Sequence, residues 1–495
     1  MKSALLLYPH QLYEVSDLPK VETVVLMEDP LFFGVDQQHA ARMHKQRLIL
    51  HRASMRRYVE EVLWPAGIKV EYIDLDVFMQ SGDILDRVKG AEQIFVLDPT
   101  DEALTKRLLQ ARRERDDLPN LTFLASPNFY LKEQEVRDYF GTAHKQPFAE
   151  FYQWQRERFN VLISEDYKPV GGKWTFVNDT PKRLAADETL PSFPVFGDNK
   201  YVAEAIKWVE EHFPDNPGST DFIWPTSHDE AKTWLEDFVA NRLEQYGTYL
   251  QTIDPRSPWL YHSLLASSLN TGLLKPQQVV EAALAQHAKA ELPMASLEGF
   301  IRQVLGWREF TRGEYTIRAH DLRSQNEFGH KRRLTSAWYH GNTGIPPLDD
   351  LARKLQQHGY AHQAEQRIIA GNLMMLCEIH PDEMYRWFTE LSIDSYDWTT
   401  VPNVYGHSLF ESGATDTAPA FCTSETLLEM SNYERGTWSD IWDGLFWRFV
   451  EKHQVTLGKN PHMRAAIGQM HKLDADQRRI IHYRAEDFLN QHTTL

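Results

Sequence analysis

Residues Ala4-Leu-Leu-Leu7 form a short apolar run that ends in Tyr8-Pro-His-Gln-Leu12. The run is too short for a buried helix and is closed by a proline, so it predicts a strand buried on both faces. Four similar runs follow: Thr23 to Met27, Val70 to Ile73, Ile94 to Leu97 and Leu121 to Leu124. Helical spacing fills the gaps, most clearly in Ala40 to Leu63 and Ala103 to Arg113. Strands alternating with helices predict βαβ units and a parallel sheet. No Gly-x-Gly-x-x-Gly follows the first strand. Pro9-His10 stands in that place, so a dinucleotide on this sheet is not predicted.

Working outward, residues 136–200 read as a polar, aromatic-rich connector with few clear periods. It contains Pro169-Val-Gly-Gly-Lys-Trp-Thr-Phe176. From residue 201 the strand signals stop and apolar residues recur at helical spacing nearly to Leu495. Three parts are therefore expected: an α/β domain over 1–135, the connector, and an all-α domain over 201–495. A chain of 495 residues exceeds what one core usually holds, which agrees with that division.

Composition narrows the function classes. The net charge of −17 argues against a protein that coats nucleic acid, although a local basic face is compatible with it. One such segment exists. Residues 300–333 carry Arg302, Arg308, Arg312, Arg318, Arg323, Lys331, Arg332 and Arg333 against Glu309, Glu314, Asp321 and Glu327. That asymmetry suits a phosphate-facing surface; a solvated helix face with ion pairs is the plainer reading. No apolar stretch approaches the ~20 residues of a membrane span. The start has neither a signal-type apolar region nor a cleavage site, so a cytoplasmic location and no membrane association are expected. Only Cys377 and Cys422 occur, which excludes a disulfide scaffold. Aromatics are abundant at 12%, either as core filling or as electron carriers around a redox cofactor. No metal site is expected; His358 and His362 have the spacing of two ligands on one helical face, but Gly359 lies between them.

The stretch Glu298-Gly-Phe-Ile-Arg-Gln-Val-Leu-Gly-Trp-Arg-Glu-Phe-Thr-Arg-Gly-Glu-Tyr315 closely resembles the flavin-domain signature of the photolyase/cryptochrome superfamily. Pro169-Val-Gly-Gly-Lys-Trp174, Tyr261-His-Ser-Leu-Leu265, Asn270-Thr-Gly-Leu-Leu274 and Val401-Pro-Asn-Val-Tyr-Gly406 resemble its deoxyribodipyrimidine photolyase-related branch. That branch includes prokaryotic (6-4) photolyases and proteobacterial cryptochromes. The resemblance implies a Rossmann-like antenna domain followed by a helical FAD-binding domain. It implies FAD contacts from His262, Ser263, Ser267, Asn270, Gln303, Arg308, Asp394, Thr400, Asn403 and Gly406. It also implies a ribityl-lumazine antenna, with Gln11 and Glu28 in matching segments, although the branch's usual Gly-Asp-Gln-Leu is here Pro9-His-Gln-Leu12.

The chain departs from the branch at several positions. Where (6-4) photolyases carry Tyr-Ala-His-His, it has Tyr360-Ala-His-Gln363; His362 and Gln363 are the candidate catalytic pair, and Gln363 cannot titrate. Two lesion-side tyrosines fall at Ala420 and Thr426, and the acidic residue expected near the flavin falls at Thr400. Trp338, Tyr339, Trp387 and Trp398 are the candidate electron carriers, with Phe388 where a tyrosine is usual. The cysteines of the branch's iron–sulfur cluster fall at Pro347, within Glu434-Arg-Gly-Thr437, and near Asp440. Two thiols at other positions cannot complete such a cluster, so none is expected. The resemblance thus implies a monomeric, FAD-dependent, blue-light-responsive protein. It would repair UV-damaged DNA, met through the basic 300–333 segment, as a carbon–carbon lyase. The alternative is a cryptochrome-like photoreceptor that has lost (6-4) repair.

Overall fold

The computed structural model describes residues 2–141, 147–176, 182–197, 199–408 and 421–495. Five strands, β1 (Ser3–Leu7), β2 (Thr23–Met27), β3 (Lys69–Ile73), β4 (Gln93–Leu97) and β5 (Leu121–Leu124), form one sheet in the order β3-β2-β1-β4-β5. Every pairing in it is parallel. Each apolar run read from the sequence is a strand, shifted by one residue at most. The cause is visible in burial: Leu5, Leu6, Val24, Val25, Ile94 and Val96 are all fully buried, covered on both faces. Each such side chain contributes roughly 1.5–3 kcal/mol by leaving water.

The remainder is helical apart from a two-residue pairing of Arg333–Leu334 with Thr493–Thr494. The connector is more ordered than its weak periodicity predicts, because it contains the helix Phe148–Phe159. That helix packs on the signature segment: Phe148 stacks on Trp307 with centroids 3.9 Å apart. A Cβ at Gly306 would lie 2.9 Å from the Tyr152 ring, so the backbones approach that closely only with glycine. The Pro169–Phe176 motif then crosses this unit as a strap. The Trp174 carbonyl accepts from buried Arg156 at 2.9 Å, and the Phe176 amide donates to Glu298 at 2.9 Å.

The basic segment 300–333 turns mostly inward. Arg312 pairs with Asp98 at 2.8 Å and donates to the Leu131 carbonyl at 2.5 Å. Arg308 donates to Asn128 at 2.8 Å, Arg318 pairs with Glu314, and Arg323 with Asp397 at 2.5 Å. Thus Arg308 and Arg312, both on the helix Arg308–Arg323, fasten the helical half to loops of the α/β half. Of the eight cations Arg323, Lys331 and Arg333 are exposed, and Arg323 is held by Asp397, so most of the segment's positive charge is used within the chain. Alternating acidic partners supplied from distant loops are not visible in a local charge count.

Candidate flavin site

Four segments converge in the helical half. Gly359 ends the helix Pro346–His358 in a left-handed turn at φ 62° and redirects the chain into Tyr360–Gln363. The Gly359 carbonyl then accepts from the Ile393 amide at 2.8 Å, which sets the loop bearing Asp394 beside that strip. Asn270 donates to the Asp394 carbonyl at 3.1 Å and accepts from Arg308 at 2.7 Å. The Arg308 guanidinium lies 4.7 Å from the Trp398 ring centroid. Asn270, Arg308, Asp394 and Trp398 are therefore one contiguous group, although they are spread over 129 positions of sequence from 270 to 398. Burial lowers Arg308 to about 10, still charged at neutral pH, and raises the Asp394 carboxyl to about 6.

A second group adjoins it. His262 stacks on His362, with centroids 4.4 Å apart and planes 15° apart. The His362 ring also lies 3.5 Å from Glu365, which forms a buried ion pair with Lys354. Desolvation lowers His362 to about 3 and His262 well below its ordinary value, and the nearby Lys354 cation adds to both shifts. Both imidazoles are thus neutral at pH 7. Lys354 and Glu365 carry no signature in the sequence; a Lys and a Glu eleven residues apart meet only because Gly359 reverses the chain.

Several buried polar atoms here lack hydrogen-bond partners within the chain: Ser267 Oγ, Ser268 Oγ, His262 Nε2, both His362 ring nitrogens and Arg308 Nε. Buried polar groups are ordinarily satisfied, so a concentration of unpartnered donors and acceptors marks a place for a polar ligand. Hydroxyls suited to phosphate, neutral imidazoles, and an amide and a carboxyl at one edge fit FAD. Ser268 was not singled out from sequence; its neighbour Ser267 was. Ser263, Gln303 and Asp394 are half-buried, Gly406 is buried, and Asn403 is exposed with its amide on the Thr399 carbonyl at 2.8 Å. Thr400 donates to the Tyr396 carbonyl at 3.0 Å. π-Helical stretches occur at Arg302–Trp307, Glu365–Gly371 and Pro402–Ser408, within or beside these segments. Such bulges recur at functional sites, and no residue pattern announces them.

Gln363 is exposed, next to buried His362. Thr426 is half-buried on the helix Ser424–Met430, beside Cys422. Ala420 lies outside the described residues. Among the electron-carrier candidates, Trp387 and Trp338 are both fully buried, and the Trp387 indole donates to the Trp338 carbonyl at 3.2 Å. Phe388 meets Trp387 edge-on at 5.1 Å, and Tyr339 is half-buried. Trp398 is in a different setting, since the Arg308 cation on its face disfavours a positive charge on the ring. In the α/β half, Gln11 donates to the Leu97 carbonyl at 2.9 Å. Glu28 accepts from Arg52, Tyr72 and the Leu75 amide. Among the described residues, no cluster of three or more His, Cys, Asp or Glu could hold a metal ion, and no helix is long and apolar enough to cross a membrane.

An open five-stranded parallel sheet followed by a helical half with a buried polar site is a two-domain α/β-plus-helical architecture. Comparison with known proteins identifies the family. Residues 5–224 match the family described as deoxyribodipyrimidine photo-lyase-related protein, and residues 298–435 match the FAD binding domain of DNA photolyase. The chain is 28% identical over 466 residues to a (6-4) photolyase of Agrobacterium fabrum, covering 90% of this chain and 91% of that one. A bacterial class III photolyase from Agrobacterium tumefaciens shares the fold, with a TM-score of 0.57 at 17% identity over 99% and 98% of the two chains. The Synechocystis cryptochrome gives 0.58 at 15% identity over 99% of each. The chain belongs to the photolyase/cryptochrome superfamily, in its deoxyribodipyrimidine photo-lyase-related branch, and is an FAD-binding, photolyase-like protein.

Proposed function

We propose that this protein acts on UV pyrimidine lesions in DNA by blue-light-driven electron transfer. The observation that supports this most is the set of unpartnered buried polar atoms at Ser267, Ser268, His262 and His362, on segments that resemble the flavin contacts of the branch. FAD, when bound and reduced, supplies the light absorption and the single electron that such a lesion needs. Ser267, Ser268 and Asn270 would hold its polar groups, and Arg308 positions Asn270. Asp394 and Thr400 face the flavin edge in this reading, Thr400 without a charge. Asn403, Gly406, Gln303 and Ser263 complete the lining. Trp387 and Trp338 would carry electrons inward, and Phe388 beside them is a poor carrier.

His362 keeps a neutral ring at working pH, so it can orient a partner but holds no spare proton. Gln363, exposed at the rim, cannot supply one either. A lesion cleaved by the electron alone is therefore the better substrate, and one that also needs protonation is the poorer. Phosphates would meet Lys331 and Arg333 in preference to the inward-turned arginines. We read the chain as lacking the iron–sulfur cluster, since Cys377 and Cys422 are its only thiols and cannot supply the four thiolates that such a cluster takes. The protein acts as a cytoplasmic monomer in this reading. The test is illumination of the fully reduced protein with oligonucleotides carrying cyclobutane or (6-4) lesions. Light-dependent repair is expected for the cyclobutane lesion, and no repair of either lesion overturns the proposal. In that outcome the second reading, a cryptochrome-like light sensor, is the one that Gln363 favours; it requires a blue-light spectral change in the purified protein.

A further inference from the structure

We infer that the crevice at the carboxyl edge of the sheet is closed by the chain's own side chains, with His10 as the plug, and that the flavin is the sole chromophore. The strand order reverses between β1 and β4, and ligands of open α/β sheets lie outside the strand ends at such a point. Here His10 Nε2 hydrogen-bonds the Pro99 carbonyl at 2.9 Å, so the ring spans from the loop after β1 to the loop after β4. The same ring lies against Phe32, with centroids 4.4 Å apart. Tyr396, from the helical half, closes the other side at 6.1 Å. It is held there by His51, 2.8 Å from its hydroxyl, and by the Arg47 guanidinium, 4.6 Å from its ring centroid. Arg47 also donates to the Ser395 carbonyl at 2.5 Å.

These side chains enclose almost no accessible surface: Tyr8, Gln11 and His51 are 0% exposed, and His10 is 6% exposed. A ligand of ribityl-lumazine size needs a cavity of roughly 300 Å³ or more. Of the two matching polar residues, Gln11 uses its amide nitrogen on the Leu97 carbonyl and keeps only Oε1 unpartnered, and Glu28 is fully engaged. Glu28 accepts from Arg52 at 2.5 Å, from the Tyr72 hydroxyl at 2.5 Å and from the Leu75 amide at 2.9 Å, which occupies both oxygens of its carboxylate. The residues present therefore do not fit the antenna that the branch resemblance implies. The decisive change is at Pro9-His10, where the resemblance leads one to expect Gly-Asp: a proline stands in place of the glycine, and the His10 imidazole, bulkier than a carboxylate, fills the space beside it. The inference rests on the fold and on no part of the repair reading.

Titration of the flavin-loaded protein with 6,7-dimethyl-8-ribityllumazine, followed by lumazine fluorescence anisotropy, tests it. The wild-type chain is expected to show no saturable binding. The His10→Gly variant is expected to bind one equivalent, and His10→Gln, which can keep the bond to the Pro99 carbonyl, is expected to stay closed. Saturable binding by the wild type overturns the inference whatever the variants do. A folded His10→Gly as closed as the wild type overturns the assignment of His10 as the plug. If that variant fails to fold, the action spectrum of wild-type photoreduction in the presence of lumazine decides: it should follow flavin absorption alone, and a lumazine band in it refutes the inference. The flavin content of each sample is read from the same spectra. A preparation without flavin counts against the proposed function and leaves the titration result standing.

Discussion

Two buried places in this molecule each bring a histidine pair together with aromatic and polar neighbours, and they differ in how the polar atoms are used. At the sheet edge, His10 is bonded to the Pro99 carbonyl and His51 to the Tyr396 hydroxyl. In the helical half, His262 and His362 lie face to face, and neither His362 ring nitrogen has a hydrogen-bond partner within the chain. Bonds that cross from one loop or domain to another make the first place a lock. Both places also hold unpartnered buried atoms, at about 1–3 kcal/mol each: Tyr8 Oη, His10 Nδ1, Gln11 Oε1 and His51 Nδ1 at the first, and Ser267 Oγ, Ser268 Oγ and both His362 nitrogens at the second. At the second no hydrogen bond crosses between the stacked rings, which makes it the receptacle.

What the two places share gives the largest expected effect. All four imidazoles are held neutral by burial: His10 at about 4, His362 at about 3, His51 and His262 far below their ordinary value. His44 and His330, each lowered to about 4, behave alike. The unfolded chain takes up protons at these positions below pH 6.5, and the folded chain does not until about 4 or lower. Stability is therefore lost as pH falls through that window. Asp29 and Asp394 at about 6, and Asp101 at about 7, act in the opposite sense, since the folded chain keeps their protons. Burial also lowers His228, His358 and His492 and raises Glu28, Glu298, Glu309, Glu365 and Asp443, so nine histidines stand against eight carboxyls. With one net proton over two pH units, about 3 kcal/mol is lost between pH 6.5 and 4.5. Chemical denaturation at stepped pH measures it, and a level or rising stability toward pH 4.5 breaks the view that these rings are neutral.

The receptacle differs from the lock in what it can gain. Gln363, exposed beside buried His362, stands where the branch resemblance has a second histidine. Gln363→His should raise light-driven repair of a (6-4) lesion by about 10²-fold, the scale of one general acid, and leave cyclobutane repair within twofold. Equal gains on both lesions would mean that the side chain acts by packing.

Single hydroxyls should separate the two places next. Ser267→Ala removes one unpartnered group of the receptacle and should weaken FAD retention about tenfold, the effect of one hydrogen bond to a charged ligand. Tyr8→Phe removes an equally buried, equally unpartnered hydroxyl at the sheet edge and should leave FAD affinity unchanged. Equilibrium flavin titration of both variants checks the pair. A matching loss in Tyr8→Phe would show that the two places are not independent.

The lock was less legible in the sequence than the sheet that carries it. Strand runs such as Thr23–Met27 are local patterns of apolar residues, and they appear where they were read. His10 was visible only as a departure from Gly-Asp, because its partners are the Pro99 carbonyl and a ring 386 positions on, at Tyr396. The same holds for the receptacle. Asn270, Arg308 and Asp394 were read from motif resemblance, and their mutual bonds were not. Lys354 and Glu365 were missed, since nothing in either residue's neighbourhood marks a buried ion pair. Arg312 and Arg323 misled in the other direction: a count of charges cannot show that Asp98 and Asp397 fold onto them.

The smallest expected effect is the sharpest probe of the lock as a structural device. Tyr396→Phe keeps the ring that Arg47 covers and that faces His10, and removes only the hydroxyl. His51 Nε2 then loses its partner in a fully buried place, where no water reaches it. The expected cost is about 1–2 kcal/mol of unfolding free energy. Tyr396 shares its loop with Asp394 and Trp398, and its carbonyl accepts from Thr400. These backbone bonds survive the substitution, so FAD affinity should stay within twofold. Denaturant unfolding and flavin titration on the same sample separate the two quantities. A stability loss with unchanged flavin binding means that the sheet edge holds the domains together without tuning the flavin pocket. A parallel loss of flavin means that the lock sets the loop, and the two places then act as one.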